Sequence, residues 1–281
     1  MRLGDAPESG NFEDRTGQSG GGGLNLGGMG GGVFGLIFQL VASRFGIIGI
    51  LVLGLGYCAL TSLGGLGGGS TTTGESKLTA DQGQVLKRVL GSTEQVWGQI
   101  FQQSGAQYKP TRLVAYSNQN NSGCGAAQSA MGPFYCPTDQ SIYIDPTFFD
   151  ELSRRFQAPG DAAQAYVIAH EVGHHIQYLQ GTLDRAQSAQ ARSSTAAGNA
   201  VQVGVELQAD CYAGVWAKRS GLLEQGDIGE GMRAAEAIGD DMLTKGRVSP
   251  DNFTHGTSAQ RQEALNRGLT TGDPAQCKYT R

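Results

Sequence analysis

Charged residues are scarce in this chain. Aspartate, glutamate, lysine and arginine make up only 16% of its 281 residues, and the formal net charge is −4 at pH 7. The 21 basic residues are scattered along the chain and form no concentrated patch. A protein that binds nucleic acid neutralises phosphates with clustered lysine and arginine side chains, so we expect no nucleic-acid partner.

Glycine and apolar residues are concentrated in the first quarter of the chain. Residues 1–32 combine charges with a glycine tract, which buries too little apolar surface to offset ordering, so we predict a disordered tail. Residues 33–63 are strongly apolar, and 45–63 is long enough to cross a bilayer as a helix. Arg44 precedes that span, and arginine favours the cytoplasmic side. The sequence therefore predicts a single-pass protein of the cell membrane, with a cytoplasmic N-terminus and an extracytoplasmic domain.

Two alternatives for the apolar segment remain open. A buried core helix is one, although the glycine-rich flanks offer it little to pack against. A cleaved signal peptide is the other, but such a peptide begins with a short basic region, and this span has a long glycine-rich lead. A Gly/Ser/Thr linker over 64–76 then leads to a folded domain over 77–281, which is long enough to form a single core.

The cysteines lie mostly beyond the apolar segment. Cys58 is inside it, and the four that follow are even in number, as is typical of disulfides in an oxidising compartment. Three pairings are open, and we favour Cys124 with Cys136 and Cys211 with Cys277. Zinc binding by Cys124 and Cys136 is the alternative, but their spacing does not form a Cys-x-x-Cys knuckle.

The apolar pattern of residues 77–281 predicts a domain in which helices predominate. Short strands are expected at 113–116 and 141–145. Helices are expected at about 79–104, 147–156, 161–180, 198–219, 227–245 and 257–267. We therefore expect an α+β domain that is predominantly helical with a few short strands, preceded by one transmembrane helix.

The motif His170-Glu171-Val172-Gly173-His174 indicates the chemistry most directly. Residues four apart on a helix share a face, so both imidazoles can bind one zinc ion. Glu171 projects beside that face, where it can take a proton from a water on the metal. His175 points about 100° away, and we expect it to pack or to hydrogen-bond. Two ordinary surface histidines are the alternative interpretation.

Two acids further along the chain complete the candidate site. Zinc in hydrolytic sites usually has three protein ligands, and Glu206 is the candidate for the third. Asp210 lies one turn further along the predicted helix and could accept the free ring N–H of His170 or His174, because metal-bound histidines usually have such a partner. The helix around both acids is apolar, and an unpaired carboxylate buried there would be costly. A solvated helix face is the alternative.

Several motifs together resemble those of one bacterial family. They occupy residues 13–15, 124–127, 132–137, 170–175, 206–216 and 253–258. Over nearly its whole length the chain resembles the bacterial putative neutral zinc metallopeptidase family. The resemblance implies a membrane-anchored peptidase with a zincin-like domain and one Zn²⁺ per chain.

The function that we expect is hydrolysis of peptide bonds in a peptide or protein substrate. Glu171 would act as the general base, and His255 is the candidate donor to the developing oxyanion, with Tyr166 and Tyr178 as further candidates. His255 as a plain helix-entry residue is the alternative. A zinc-binding envelope protein that acts as a partner or scaffold is the alternative function, although a scaffold has no need of Glu171. A structural zinc site would need a fourth ligand, and none has the right spacing.

Overall fold

The computed structural model describes residues 1–18 and 75–278. Its α-helices are α1 (Ala80–Gln103), α2 (Thr147–Arg154), α3 (Asp161–Leu179), α4 (Thr182–Gln190), α5 (Thr195–Ser220), α6 (Asp227–Ala237), α7 (Asp240–Leu243) and α8 (Ser258–Thr271). Its strands are β1 (Phe12–Asp14), β2 (Arg112–Ala115), β3 (Gln119–Ser122), β4 (Gly125–Gln128), β5 (Phe134–Cys136) and β6 (Ser141–Ile144). The described residues are mostly helical with a few strands, as the sequence predicted for the folded domain.

The strands form one sheet and one separate hairpin. The sheet has the order β1-β2-β6-β5, in which β1, β2 and β6 run parallel and β5 pairs antiparallel with β6. The side chains of β2 and β6 are almost all buried, as is usual for strands inside a parallel sheet that is covered on both faces. The hairpin consists of β3 and β4.

The helix α3 lies at the centre of the domain, and α1, α5 and α6 pack against it. Asp161 in its first turn places a negative charge at the positive end of the helix dipole. Gly181 follows its last turn with a φ of 67°, a left-handed conformation that ends helices and that glycine adopts without strain. Most side chains of α3 are buried, including His170 and Glu171. The helix that carries the HExxH motif is therefore part of the core.

Glycines allow α5 to approach two other helices closely. A Cβ atom at Gly173 of α3 would lie 2.9 Å from the carbonyl oxygen of Ala209 on α5. A Cβ atom at Gly268 of α8 would lie 2.0 Å from the carbonyl oxygen of Cys211 on α5. Both distances are far shorter than a carbon–oxygen contact allows, so only glycine permits these backbones to pack as they do. The result is that α3, α5 and α8 form one tight layer.

The prediction of a disordered tail over 1–32 is wrong for residues 1–18. Residues 12–14 form β1 and pair in parallel with β2. The amino group of Met1 lies 3.0 Å from the carboxylate of Asp161, and the Arg88 guanidinium donates to three backbone carbonyls among residues 3–6. Backbone pairing and these ionic contacts with distant parts of the chain supply the stabilisation that the local composition does not reveal.

The predicted membrane topology is also wrong. No helix in the described residues is long and apolar enough to cross a membrane, and the apolar segment 33–63 lies outside the described residues. β1 precedes that segment and β2 follows it, yet the two are hydrogen-bonded neighbours in one sheet. A single crossing would place them on opposite sides of a membrane. The fold therefore contradicts the predicted single-pass topology, in which one transmembrane helix separates a cytoplasmic N-terminus from an extracytoplasmic domain.

Both favoured cysteine pairings are confirmed. Cys124 in the β3–β4 turn is bonded to Cys136 of β5, which ties the hairpin to the sheet. Cys211 of α5 is bonded to Cys277, which follows the 3₁₀ turn Pro274–Gln276. The alternative of a zinc ion held by Cys124 and Cys136 is excluded because both sulfurs are used in the disulfide.

Adding a methyl group where α5 meets α8 should destabilise the protein. We expect Gly268→Ala to lower the free energy of unfolding by about 1–3 kcal/mol, because the new atom would contact three backbone atoms that cannot move without shifting α5. Gly98→Ala in α1 is the control, since no atom of the described part of the chain lies within 4 Å of its added Cβ. It should be neutral or stabilising by up to ~1 kcal/mol. Urea unfolding measures both, and an unchanged stability of Gly268→Ala would contradict the close contact.

Candidate metal centre

The structure brings together the three side chains that the sequence predicts as metal ligands. His170 and His174 lie one turn apart on α3, and Glu206 on α5 faces both. His170 Nε2 is 3.2 Å from Glu206 Oε2, and His174 Nε2 is 3.7 Å from Glu206 Oε1. Bonds of 2.0–2.2 Å in a tetrahedral zinc site place ligand atoms about 3.4 Å apart. One ligand atom from each of the three residues lies within 4.8 Å of the other two, so the donors are grouped closely enough to share one zinc ion.

Glu171 provides an independent test of whether a metal fits. Its side chain is buried beside the donors, and its Oε2 atom has no hydrogen-bond partner among the residues that the structure describes. Burial raises the pKa of this carboxyl group, although the nearby charges of His174 and His170 oppose that shift. A buried polar atom without a partner is costly. A water held by an ion between the three donors would supply the partner, so the residues fit a hydrated zinc ion.

Asp210 makes the contact that the sequence predicts for it. Its Oδ1 atom lies 2.8 Å from Nδ1 of His170. The same carboxylate accepts two hydrogen bonds from the Arg261 guanidinium, at 2.8 and 2.9 Å, and one from the Tyr166 hydroxyl at 2.6 Å. Asp210 and Arg261 are almost completely buried. The arginine balances the charge of the acid, and the acid fixes the orientation of the His170 ring.

The charges around the donors shift their pKa values in the metal-free protein. Burial lowers the pKa of His170, but the Asp210 carboxylate outweighs burial and raises it to about 9. Burial raises the pKa of Asp210, but Arg261 and His170 outweigh it and lower the value to about 2. Burial also lowers the pKa of His174, and Glu206 raises it above its usual value. Without metal, the site favours protonated imidazoles.

His174 has a different kind of partner. Its Nδ1 atom lies 2.9 Å from Oε1 of Gln177, three residues along α3. Gln177 is fully buried. The two histidines are therefore oriented differently, one by a carboxylate and the other by a neutral amide.

His255 lies in the turn before α8, next to the part of α5 that carries Glu206. A Cβ atom at Gly256 would contact the Val203 side chain. The His255 imidazole is about half exposed, and its Nδ1 atom lies 3.1 Å from Oδ1 of Asp240. The other Asp240 oxygen accepts the backbone N–H groups of residues 254–256. Asp240 thus holds both the turn and the ring.

Of the two tyrosines predicted as further oxyanion donors, Tyr166 already uses its hydroxyl proton, whereas Tyr178 serves as an acceptor. The Tyr166 hydroxyl donates to Asp210, and burial raises its pKa. The Tyr178 hydroxyl accepts a hydrogen bond from Gln140 at 3.2 Å. Of the predicted candidates, His255 is the one whose side chain is substantially exposed.

His175 behaves as the sequence predicts, as a packed and hydrogen-bonded residue. Its Nε2 lies 2.7 Å from the carbonyl oxygen of Lys109, so Nε2 carries a proton. Its Nδ1 lies 3.0 Å from the Tyr135 hydroxyl, and burial lowers the pKa of the ring. The imidazole is neutral and tied to the sheet side of α3.

Sequence reasoning missed three residues of the site: Arg261, Gln177 and Asp240. A buried Asp210 indicates that some cation must lie near it, but nothing in the sequence selects Arg261, which is 51 residues away. Gln177 is three residues from His174 and on the same helix face, so helix geometry could have identified it. Asp240 lies inside the helix predicted at 227–245, and in that helix it could not have bound the turn at residues 254–256.

Zinc binding should release protons at pH 7. Zinc binds neutral imidazole, whereas the pKa of His170 in the metal-free protein is about 9 and that of His174 is raised. We expect release of more than one proton per zinc, approaching about two. Calorimetric titration in buffers of different ionisation enthalpy counts these protons. The number should fall as the pH rises above about 9, and no release at pH 7 would contradict the assigned charges.

Loss of the buried arginine should strongly destabilise the protein. We expect Arg261→Met to lower the free energy of unfolding by about 3–5 kcal/mol, because it removes the guanidinium that pairs with the buried Asp210 carboxylate through two hydrogen bonds. Arg267→Met on the same helix is the control, since its ion pair with Glu263 is exposed and should contribute little. Thermal and urea unfolding of both variants test this, and similar losses would contradict a special role for Arg261.

Comparison with known proteins agrees with this site. Residues 1–280 match the family described as putative neutral zinc metallopeptidase. The uncharacterized protein YpfJ of Escherichia coli (strain K12) is 43% identical over 289 residues, which cover 99% of this chain and 98% of YpfJ. The uncharacterized protein Rv2575 of Mycobacterium tuberculosis (strain ATCC 25618 / H37Rv) is 43% identical over 187 residues, 60% of this chain and 62% of that protein. No solved structure matches. On the extent of these matches, the chain belongs to the putative neutral zinc metallopeptidase family.

Proposed function

We propose that this protein hydrolyses peptide bonds in peptide or protein substrates with one zinc ion held by His170, His174 and Glu206. The observation that carries the proposal is the Glu171 oxygen that has no hydrogen-bond partner among the described residues, beside three donors that lie within 4.8 Å of one another. When bound, zinc would lower the pKa of a coordinated water to about 7 and polarise the carbonyl of the scissile bond. A closed structural site would have no use for a base in that position.

Glu171 is suited to move a proton in this reaction. Burial raises the pKa of its carboxyl group, which makes the carboxylate a stronger base than an exposed glutamate. We propose that Oε2, the oxygen without a partner, takes a proton from the attacking water and passes it to the leaving amine.

His255 is proposed to stabilise the negative charge that develops on the carbonyl oxygen. Asp240 accepts a hydrogen bond from Nδ1 and fixes the ring, so Nε2 can donate to the oxyanion only when the ring is the doubly protonated imidazolium. Burial raises the pKa of Glu206, but His174 and other neighbours, including His255, lower it well below its usual value. A Cβ atom at the next residue, Gly256, would lie 3.1 Å from Val203 and 3.5 Å from Leu207, which flank Glu206 on α5, and this contact supports a location of His255 close to the metal donors. A fixed donor at this point contributes more than a mobile one because it needs no reorganisation.

Replacing the base should separate catalysis from metal binding. We expect Glu171→Gln to lower kcat by about 10²–10⁴-fold while the variant retains one zinc per chain. The measurement is peptide-library cleavage together with elemental analysis of the full chain. Glu263→Gln is the control, because Glu263 is exposed on α8.

The outcomes distinguish the proposed functions. Chelator-sensitive cleavage by the wild type that is absent from Glu171→Gln supports the peptidase. One zinc per chain without cleavage by either protein contradicts it and favours a non-catalytic zinc protein. Absence of zinc from the wild type would overturn the metal site itself.

Replacing His255 should reduce the rate with little effect on metal content. We expect His255→Ala to lower kcat by about 10²–10³-fold, the usual result of removing one oxyanion donor. Asp240→Asn provides a second variant, which keeps the His255 ring but removes the charge that orients it. Unchanged kcat in His255→Ala would show that the imidazole is only part of the turn.

A further inference from the structure

We propose that Gln177 is the positioning residue of His174, and that the Cys211–Cys277 disulfide anchors the chain of amides through which Gln177 acts. The inference rests on the proposed function in one respect, namely that His174 binds the metal. It assigns a role to a buried glutamine and to a disulfide that the proposed reaction does not otherwise use.

Three hydrogen bonds connect His174 to the carbonyl group of Cys277, and a fourth ties Gln177 to the backbone of α5. Gln177 Oε1 lies 2.9 Å from His174 Nδ1. Gln177 Nε2 donates to the carbonyl oxygen of Val205 at 2.7 Å and to Oε1 of Gln208 at 3.0 Å. Gln208 Nε2 in turn donates to the carbonyl oxygen of Cys277 at 2.8 Å. The chain thus passes from α3 through α5 to the segment after α8.

The backbone carbonyl oxygens of Val205 and Cys277 determine which way round each glutamine amide lies, with its NH₂ group on one side and its oxygen on the other. A carbonyl oxygen can only accept, so the NH₂ group of Gln177 must face Val205 and that of Gln208 must face Cys277. The Gln177 oxygen is then left to face His174. Because that oxygen can only accept, His174 must donate from Nδ1, and the lone pair of its neutral ring lies on Nε2. Nε2 is the atom directed at Glu206, where the metal would bind.

Burial makes this arrangement difficult to replace. Gln177 is fully buried and Gln208 is 8% exposed, so solvent has little access to either amide. Each amide has partners for both its donor and its acceptor side. A buried network in which every member is satisfied specifies one conformation, whereas removal of one member leaves the others unpaired. Gln177 therefore holds the ring in one orientation and one tautomer.

The disulfide fixes the Cys277 end of this series of hydrogen bonds. Cys211 is on α5, three residues after Gln208, and its bond to Cys277 brings the carbonyl of Cys277 to the Gln208 amide. Cys211 is a buried residue of the same helix, α5, as Glu206 and Asp210. Opening this disulfide would release the acceptor of Gln208 without removing any metal donor. We therefore expect metal affinity to depend on the oxidation state of this pair.

The first test is the zinc dissociation constant of Gln177→Met, measured in competition with a chelator on the full chain. Methionine preserves the length of the side chain but removes its hydrogen bonds, and we expect binding about 10–100-fold weaker. The visible spectrum of the Co²⁺-substituted variant should also change, because the His174 ring is no longer held. Gln262→Met is the control, since Gln262 bonds a carbonyl and a carboxylate on α6, remote from the donors. Wild-type affinity together with a wild-type cobalt spectrum would overturn the role of Gln177.

The second test compares the two disulfides. Replacing Cys211 and Cys277 together by alanine should weaken zinc binding about tenfold, whereas replacing Cys124 and Cys136 should leave it unchanged. Equal effects of the two pairs, or no effect of the first, would overturn the anchoring role. Gln208→Met interrupts the series of hydrogen bonds at a second, independent point. It should weaken zinc binding in a folded protein even if Gln177→Met fails to fold.

The results also separate this inference from the proposed function. A wild-type protein that binds zinc but cleaves nothing contradicts the peptidase alone. A wild-type protein that binds no zinc contradicts the metal site on which both depend. Normal zinc binding by the wild type, by Gln177→Met, by Gln208→Met and by the variant without Cys211 and Cys277 contradicts only the positioning role.

Discussion

The close contact between α3 and α5 is the constraint on which the rest of the site depends. Gly173 immediately precedes His174, and Ala209 lies between Glu206 and Asp210, so the point where the backbones touch is also the point where the donors meet. A metal site tolerates errors in ligand distance of only about 0.2 Å. A small displacement of α5 would therefore separate the donors well before it unfolded the domain. The glycine within the HExxH motif has a packing function as well as a place in the sequence pattern.

Charge balance explains why so many ionisable groups can be buried together. Glu171, Glu206 and Asp210 are all nearly inaccessible to solvent, as is Arg261. One divalent ion and one arginine would balance three carboxylates, with both histidines neutral. Without the ion, the protonated histidines take its place, as the raised pKa values of His170 and His174 indicate. The protein thus has a stable arrangement of charge both with and without metal.

The sequence predicted the two helices that carry the candidate metal donors well because both have strong apolar patterns and clear ends. Helix α3 was predicted at 161–180 and occupies Asp161–Leu179. The single helix predicted at 227–245 is instead broken at Gly239, where a Cβ atom would lie 2.4 Å from the backbone nitrogen of Ser258. That break depends on a contact with another helix, which local pattern does not reveal. β1 was missed for the same reason, since three residues acquire strand structure only by pairing with β2.

The folded N-terminal segment has a consequence for how the chain is made. β1 pairs with a strand that begins about a hundred residues later, and Met1 bonds to Asp161, which is 160 residues away. At synthesis rates of about 5–20 residues per second, β1 waits about 5–20 s for its partner strand to be translated. Contacts between such distant residues also form slowly, because a long loop must close first. β1 therefore cannot take its place in the sheet until residues far along the chain have been made.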